Sequence, residues 1–327
     1  MKKKILSFMS NVYKGELLKK QQKFRDNTSM VFKSGARVIS IGNITWGGTG
    51  KTPLVAKLAQ DLAFFGKKVA VLTRGYGGGD EVEELRRKLP NTPILVGKDR
   101  AKLAEEAVKK HGADTILLDD GFQYLGLHRD LDIVTINSTL PFGPGGLIPA
   151  GTLREPIEHL SRAHVFVLTK SNIGSKNLHW ISQKLASVKP GAVIFEAIHK
   201  PLRFWDPVKK QTVVLSEIDR KKIATISGIE DPHSFEKTVE QLGAEILLAA
   251  RFQDHHPFKQ AEVTDFLRRA EMVGVKDIVT TEKDLMRLEP FFKKGLPHYW
   301  SKFNFWVLEI EFQISDEEDF IRRCANP

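Results

Sequence analysis

The sequence has a single cysteine and no long apolar run. Cys324 is the only cysteine among 327 residues, which excludes an intramolecular disulfide and a cysteine-based zinc site and agrees with a reducing compartment. No segment approaches the ~20 apolar residues that a membrane-spanning helix needs. The apolar run at residues 5–9 is too short for the core of a signal peptide, and no small-residue cleavage site follows it. We therefore expect a chain that does not span a membrane.

Acidic residues are scarce at the start of the chain. The whole sequence has 50 lysines and arginines against 40 aspartates and glutamates, a formal net charge of +10 and a pI near 9.5. In residues 1–37 only Glu16 and Asp26 oppose the basic side chains. Such a surplus suits an anionic partner: nucleic acid, an anionic membrane surface or a phosphorylated substrate. The basic residues of this segment are Lys2, Lys3, Lys4, Lys14, Lys19, Lys20, Lys23, Arg25, Lys33 and Arg37.

Residues 1–33 form the first predicted segment, a basic amphipathic helix. Its apolar residues can share one broad face, which the lysines flank. Such a helix can associate with a membrane interface, and the same pattern also suits a helix that packs on the protein's own core. The sequence leaves both interpretations open. The apolar residues are Ile5, Leu6, Phe8, Met9, Val12, Tyr13, Leu17 and Leu18.

The rest of the chain alternates between strand-like apolar runs and helical patterns. This alternation predicts an α/β fold with a mainly parallel sheet and helices on both faces. A change of pattern near residue 200 divides it into a first domain over residues 34–200, and a linker ribbon with a smaller C-terminal α/β domain over residues 201–327. The predicted strands lie at residues 37–42, 68–73, 93–96, 115–118, 132–136, 165–169, 193–197, 222–227, 245–249 and 277–281, and the predicted helices at 51–65, 99–110, 234–242 and 259–272.

A glycine-rich loop lies between the first predicted strand and the following helix. Glycines let backbone N–H groups surround phosphate oxygens, and the helix N-terminus attracts the anion. Lys51 is predicted to reach the β- and γ-phosphates of ATP, and the Thr52 hydroxyl to bind Mg²⁺. The strict P-loop pattern has glycine where this chain has Thr45. The predicted nucleotide-binding residues are Thr45, Trp46, Gly47, Gly48, Thr49, Gly50, Lys51 and Thr52.

An apolar strand at residues 115–118 ends in two carboxylates, Asp119 and Asp120. A buried strand that delivers an acid to the phosphate site is the Walker B arrangement, in which the acid binds Mg²⁺ or its water shell. We therefore predict Thr52, Asp119 and Asp120 as the metal-binding residues. Consecutive residues on a strand face opposite ways, so one acid is expected at the metal and the other beside a neighbour.

Several motifs occur in the order found in the tetraacyldisaccharide 4'-kinases, and the sequence resembles this family over almost its whole length. The resemblance implies ATP- and Mg²⁺-dependent phosphorylation of the 4'-hydroxyl of a tetraacylated glucosamine disaccharide 1-phosphate in lipid A biosynthesis. It also implies a P-loop domain joined to a smaller α/β domain by two strands. The motifs are GNITWGGTGKTP (residues 42–53), RGYG (74–77), GDE (79–81), DR (99–100), DDGFQ (119–123), PAGTLREP (149–156), SGI (227–229), FxDH (252–255) and TTEKD (280–284).

The resemblance also assigns the acid–base and charge-binding residues. It implies that Asp80, from GDE, is the base and that His255, from FxDH, assists it. Arg100 and Arg154 match arginines that bind phosphate groups, for which the guanidinium is well suited. Together with Lys51 these are the predicted catalytic residues. The implied location is peripheral, on the cytoplasmic face of the bacterial inner membrane, and we expect a monomer.

Two features depart from the family pattern. Tyr124 follows DDGFQ where relatives often have histidine, and the segment between RGYG and GDE is very short. Both concern the surroundings of the predicted site, and the second concerns the placement of Asp80.

Three other functions each match a part of the sequence. A P-loop GTPase or metallochaperone is suggested by TKSN at residues 169–172, but the acid that binds guanine is missing and there is no Cys/His cluster to carry a metal. A nucleic-acid-dependent ATPase is suggested by the net charge, yet that charge is concentrated beside apolar residues, which suits anionic lipid better. A non-enzymatic membrane scaffold does not explain the intact phosphate loop. We therefore expect no nucleic-acid partner.

Overall fold

The computed structural model describes residues 2–75, 79–293 and 296–325. The helices are α1 (Lys2–Asp26), α2 (Lys51–Phe64), α3 (Asp80–Lys88), α4 (Arg100–His111), α5 (Ser175–Val188), α6 (Pro232–Gln241), α7 (Gln260–Met272), α8 (Glu282–Lys293) and α9 (Glu317–Ala325). The strands are β1 (Arg37–Gly42), β2 (Val69–Thr73), β3 (Ile94–Val96), β4 (Thr115–Asp119), β5 (Leu131–Asn137), β6 (Val165–Thr169), β7 (Val193–Asp206), β8 (Gln211–Val213), β9 (Lys222–Ser227), β10 (Glu245–Arg251), β11 (Asp277–Thr281) and β12 (Asn304–Ile314).

The chain divides into two compact units. The first comprises residues 1–76, 81–198 and 312–327, and the second comprises residues 77–80 and 199–311. In the first unit the strand order is β7-β6-β5-β1-β4-β2-β3, and the pairs along it are parallel. This arrangement confirms the predicted α/β fold class.

The central strand β1 shows why this sheet is covered on both faces. Ile39 and Ile41 belong to a core that also contains buried residues of α2 and α9. Val38 belongs to a second core, with Ala104 and Ala107 of α4. Because successive side chains of a strand point to opposite faces, a continuous apolar strand needs helices on both sides, as parallel sheets generally do.

The second unit has the parallel order β10-β9-β11-β12. Its two cores lie on opposite sides of β11: Ile278 packs with residues of α7, and Val279 packs with residues of α6. Residues 201–216, at the start of the segment predicted as a linker ribbon with the C-terminal domain, belong to the second unit, where β8 pairs antiparallel with the end of β7. Asp206 makes the tight connection by accepting hydrogen bonds from the backbone N–H groups of Val208 and Lys209 at 2.9 Å.

Strands β7 and β12, which are neighbours in the strand order, each contain residues of both units. The end of β12 and the whole of α9 therefore belong to the first unit, so assigning all of residues 201–327 to the C-terminal domain was wrong for residues 312–327. The physical reason is burial, because Phe312, Ile314, Phe320 and Cys324 pack into the same core as β1 and α2.

Helix α1 packs on the first unit along one side and exposes apolar side chains on the other. Ser10 and Gln21 are buried, while Ile5, Phe8 and Val12 are each at least half exposed. The structure of this helix is therefore compatible with both interpretations, association with a membrane interface and packing on the protein's own core. Among the described residues no helix is both long and apolar enough to cross a membrane.

Candidate active site

The phosphate loop connects β1 to α2 in the first unit. Gly47 has φ 119° and Gly50 has φ 80°, a region of backbone space that side chains with a Cβ rarely adopt. Gly50 directly precedes α2, which begins at Lys51. The loop therefore turns sharply, and the first N–H groups of a long, well-packed helix face the loop's interior, which is the geometry of an anion site.

Hydrogen bonds from neighbouring strands stabilise this loop. The Thr49 hydroxyl lies 2.7 Å from the Thr135 hydroxyl of β5, and Thr169 of β6 donates to the Thr49 carbonyl at 3.0 Å. Asn43 donates to the Gly47 carbonyl at 3.1 Å, and Gln123 donates to the Asn43 carbonyl at 2.8 Å. Gln123 is the last residue of DDGFQ, so this motif supports the loop as well as supplying acids.

Thr45, at the position where the strict pattern has glycine, forms an isolated antiparallel bridge with Leu153. On either side, Trp46 N–H donates to the Thr152 carbonyl at 2.6 Å and Arg154 N–H donates to the Ile44 carbonyl at 2.7 Å. Extended backbone of this kind accepts a β-branched residue, which explains why glycine is not required here. The pairing also joins the PAGTLREP motif to the phosphate loop.

Asp119 lies at the end of β4 and is 2% exposed. One carboxylate oxygen accepts a hydrogen bond from Thr73 at 3.0 Å, and the other, Oδ1, is buried without a hydrogen-bond partner among the described residues. Burial, together with the nearby carboxylates of Glu81 and Asp120, raises the pKa of Asp119 to about 7. A buried carboxylate with an unsatisfied oxygen is suited to a divalent cation, which would favour its ionised form.

Asp120 follows in a left-handed conformation with φ 51°, which a non-glycine residue rarely adopts. Its two oxygens accept bonds from Arg154 at 2.6 and 3.0 Å, and Lys51 Nζ lies 3.7 Å from Oδ1. Burial alone would raise the pKa of Asp120, but Lys51 and Arg154 outweigh it and lower the pKa to about 2. The two adjacent acids therefore have different surroundings. Other carboxylates lie near Asp119, whereas two cations lie beside Asp120.

Two glycines allow the acidic motif to approach β1 closely. A Cβ atom on Gly42 would lie 2.6 Å from the Phe122 Cβ, and a Cβ atom on Gly121 would lie 2.7 Å from Leu118 and Ser40. Real Cβ atoms do not approach other atoms this closely, so both positions require glycine. The glycine of DDGFQ thus has a packing reason in addition to its place beside the acids.

Arg100 begins α4 and is 5% exposed. Within the part of the chain that the structure describes, its Nε has no hydrogen-bond partner, and its guanidinium lies 5.0 Å from the centre of the Tyr124 ring, a cation–π contact. Burial lowers the pKa of Arg100, although Asp120 acts in the opposite direction. A buried guanidinium with an unsatisfied donor is a candidate anion-binding group. Tyr124, the departure from the family pattern, therefore packs directly against a predicted site residue.

Sequence reasoning did not select Glu81, the last residue of GDE. Its carboxylate contributes to the raised pKa of Asp119, so it lies in the acidic surroundings of that residue. The GDE motif was the sequence signal for this glutamate, but only the aspartate of the motif was predicted as a site residue. Thr52 is buried in the first turn of α2. Within the described ranges no group of three His, Cys, Asp or Glu side chains is placed to hold a metal ion.

The second unit contains the predicted acid–base pair. His255 Nδ1 lies 3.5 Å from Asp80 Oδ2, and His255 Nε2 lies 3.5 Å from Asp254 Oδ2. His255 has φ 61°, a left-handed conformation in a non-glycine residue, and such positions are frequent at functional sites. Asp80 and His255 are far apart in sequence, and the fold brings them together. Residues 76–78, which are the end of RGYG and the residue that precedes GDE, lie outside the described residues.

Two cations border this pair. Lys283 Nζ lies 2.9 Å from Asp254 Oδ1 and 3.3 Å from His255 Nε2, and Arg287 Nε lies 3.6 Å from Asp80 Oδ2. Arg287 also donates to buried Asp284 at 2.6 Å, and Asp284 accepts the Gly228 N–H at 3.0 Å. Lys283 and Asp284 belong to the TTEKD motif, to which the sequence assigned no role, and Arg287, which was not predicted, lies one helical turn beyond that motif.

Comparisons with known proteins agree with the motif order. The family model described as Tetraacyldisaccharide-1-P 4'-kinase matches residues 2–326. The chain is 39% identical over 279 residues to the tetraacyldisaccharide 4'-kinase of Anaeromyxobacter dehalogenans strain 2CP-C, covering 79% of this chain and 74% of that protein. It is 33% identical over 349 residues to the enzyme of the same description from Halothermothrix orenii, covering 96% of this chain and 90% of that protein.

A solved structure is similar over the full length. It is the crystal structure of LpxK from Aquifex aeolicus in complex with ATP, which matches with a TM-score of 0.72 at 25% identity and covers 100% of both chains. The similarity therefore includes both units and the strands β7 and β12.

Proposed function

The chain belongs to the tetraacyldisaccharide-1-P 4'-kinase family, and we infer from that membership that it transfers the γ-phosphoryl group of ATP to the 4'-hydroxyl of a tetraacylated glucosamine disaccharide 1-phosphate in lipid A biosynthesis. The observation that carries this function is a phosphate loop whose lysine shares Asp120 with Arg154 of the PAGTLREP motif. The general P-loop pattern does not predict a second cation at this acid, and here that cation, Arg154, comes from a segment specific to the family.

We propose that the phosphate loop, residues 45–52, binds the phosphates of ATP and that Thr52 and Asp119 hold Mg²⁺. Asp119 Oδ1, which accepts no hydrogen bond from any described residue, supports this division, since Asp120 is already bonded to Arg154 and paired with Lys51. Bound Mg²⁺ would neutralise charge that develops on the transferred group. Asp120 instead orients the two cations, and Glu81 adds negative charge on the metal side.

The acceptor hydroxyl needs a group that takes its proton. We propose that Asp80 and His255 do this as a pair, with Asp254 and Lys283 fixing the imidazole. The 3.5 Å distance between His255 Nδ1 and Asp80 Oδ2 supports the pairing, because a carboxylate beside an imidazole can stabilise the imidazolium form. Arg100 and Arg154 are proposed to bind phosphate oxygens. All of these groups come from one chain, so the proposal requires only a monomer.

Transfer of labelled γ-phosphate from ATP to the acceptor in detergent micelles tests this function. The parent enzyme should label the lipid, and Lys51→Ala should lower turnover by at least about 10³-fold, since a preorganised cation on the transferred group stabilises the transition state. The exposed Lys109→Ala on α4 is the matched control and should retain full activity. ATP and GTP turnover at equal rates without any lipid labelling would favour the nucleotide-switch alternative instead.

We further propose that α1 docks the enzyme peripherally on an anionic membrane surface, at the cytoplasmic face of the inner membrane, where ATP is available. The exposed fractions of Phe8, 70%, and Val12, 52%, on a helix rich in lysine support this docking. Such residues gain free energy in the interface, and each nearby lysine adds attraction to anionic lipid.

Co-sedimentation with vesicles of phosphatidylglycerol and phosphatidylcholine tests the docking proposal. The double variant Phe8→Ser/Val12→Ser should bind these vesicles about 10-fold more weakly, because two apolar side chains leave the interface. Phe64→Ser, which alters a still more exposed aromatic residue on α2, serves as control. Unchanged binding by the α1 variant would refute the proposal.

A further inference from the structure

The packed side of α1 carries buried polar side chains as well as half-buried apolar ones. Ser10 and Gln21, two buried residues of this helix, lie eleven residues apart, about three helical turns, on the same face. Ser10 Oγ donates to the Leu147 carbonyl at 2.9 Å and accepts from the Ala150 N–H at 3.1 Å. The helix is thus fixed to the PAGTLREP segment by directional bonds, which specify position more strictly than apolar contact does.

Tyr13, between these two positions, bonds directly to the peptide of a predicted site residue. Its hydroxyl donates to the Arg154 carbonyl at 2.8 Å. The Arg154 N–H in turn donates to the Ile44 carbonyl at 2.7 Å. The Arg154 backbone is therefore bonded on one side to the phosphate-loop arm and on the other side to α1, while its guanidinium binds Asp120.

Gln21 reaches the next residue, Glu155. The Gln21 amide donates to Glu155 Oε2 at 2.9 Å, and His159 and Arg162 contact the same carboxylate at 2.8 and 2.9 Å. Burial would raise the pKa of Glu155, but the bonds from His159 and Arg162 outweigh it and lower the pKa to about 2. Glu155 is thus a buried, charged anchor, and α1 contributes one of its bonds.

We propose that Tyr13 and Gln21 are positioning residues for phosphoryl transfer: through them α1 sets the place of Arg154. The proposal rests on the function given above, in which Arg154 binds a phosphate oxygen. A displacement of about 1 Å in such a group can cost up to ~10²-fold in rate. The helix with the exposed apolar face would then also control the geometry of a reaction residue, so its contact with lipid bears directly on turnover.

Kinetic double-mutant cycles between Tyr13→Phe and Arg154→Lys test this proposal in the full-length enzyme. Tyr13→Phe removes only the hydroxyl, and we expect kcat to fall about 10-fold while the KM values for ATP and lipid stay within about twofold. In the Arg154→Lys background the same change should cost less than about twofold, because it acts through the arginine. Gln21→Met should show the same dependence on Arg154.

Matched controls separate positioning from folding. Tyr299→Phe removes a tyrosine hydroxyl bonded to Glu271 in the second unit, and Gln22→Met changes an exposed glutamine that bonds to Asp26 of its own helix. Both should leave kcat unchanged. Equal losses from Tyr13→Phe in the two backgrounds, or no loss at all, would overturn the positioning role while leaving the kinase function intact. Absence of lipid phosphorylation by the parent enzyme would overturn both.

Discussion

Asp119 and Asp120 are consecutive residues whose surroundings drive their pKa values in opposite directions. Asp119 has carboxylates near it and one empty acceptor position, whereas Asp120 has Lys51 and Arg154. The Walker B pattern predicted one of the two acids at the metal and the other beside a neighbour, without deciding which is which. The side-chain environments favour a division in which only Asp119 contacts the metal, because the oxygens of Asp120 are already bonded to Arg154.

The raised pKa of Asp119 predicts a pH-dependent penalty on stability. Well below pH 4 the carboxyl is neutral in both folded and unfolded chains. As pH rises towards about 7 the unfolded chain ionises while the buried group does not, so the folded state loses stability. Asp119→Asn should remove this loss, raising the free energy of unfolding by up to about 4 kcal/mol at pH 8, with little effect near pH 4.

Urea unfolding in the presence of a chelator, at several pH values, measures this difference. Asn can still accept the Thr73 hydrogen bond, so the variant isolates the charge. A stabilisation that is equal at pH 4 and pH 8, or absent at both, would contradict the raised pKa. The same variant should lose Mg²⁺-dependent turnover, which separates its stability from its activity.

The Asp80–His255 pair predicts strongly non-additive kinetics. Asp80→Asn and His255→Gln should each lower kcat by about 10² to 10⁴-fold, the usual contribution of acid–base groups. The double variant should be little worse than either single variant, since the two side chains act as one unit. Lys293→Gln, an exposed change on α8, is the control. Multiplicative losses in the double variant would contradict a shared role.

At the scale of elements, the sequence predicted the helices and strands whose pattern lies within a short run of residues. The boundaries of β1, β6, β9 and β11 coincide with the predicted strands, because each is a short apolar run bounded by polar residues. Helices α3 and α9 were not predicted, since they are short, highly charged and amphipathic, and their apolar positions gain meaning only from the cores they contact. The core into which α9 packs depends on the path of β12, and no local sequence pattern specifies that path.

The packing of α9 gives a stability prediction. Phe320 is 2% exposed and stacks edge-to-face on Phe195 of β7, with ring centres 5.3 Å apart. Phe320→Ala should destabilise the protein by about 3–5 kcal/mol, the typical cost of a buried aromatic cavity. Phe64→Ala on α2, where the side chain is 86% exposed, should change stability by less than about 0.5 kcal/mol. Equal melting temperatures for the two variants would contradict the assignment of α9 to the core.

At the scale of the whole molecule, the site residues that could be predicted are those that belong to a recognisable sequence motif. The phosphate loop and the adjacent aspartates follow from strand, glycines and charge. Arg287, Tyr13 and Gln21 could not be predicted because their roles depend on contacts with residues distant in sequence, such as Asp80 and Arg154. The basic and apolar pattern of α1 indicated a membrane partner. Nothing in the sequence indicated the polar contacts that the opposite face of α1 makes.

The measurement that tests the central claim most directly is the identity and stoichiometry of the product. Parent enzyme, ATP, Mg²⁺ and the tetraacyl disaccharide 1-phosphate would be incubated in micelles, and the lipid analysed by phosphorus NMR alongside ADP release. We predict one ADP for each lipid that gains a second phosphate monoester, at the 4' position. ADP release that proceeds at the same rate without the lipid, or a phosphate at any other hydroxyl, would contradict the account.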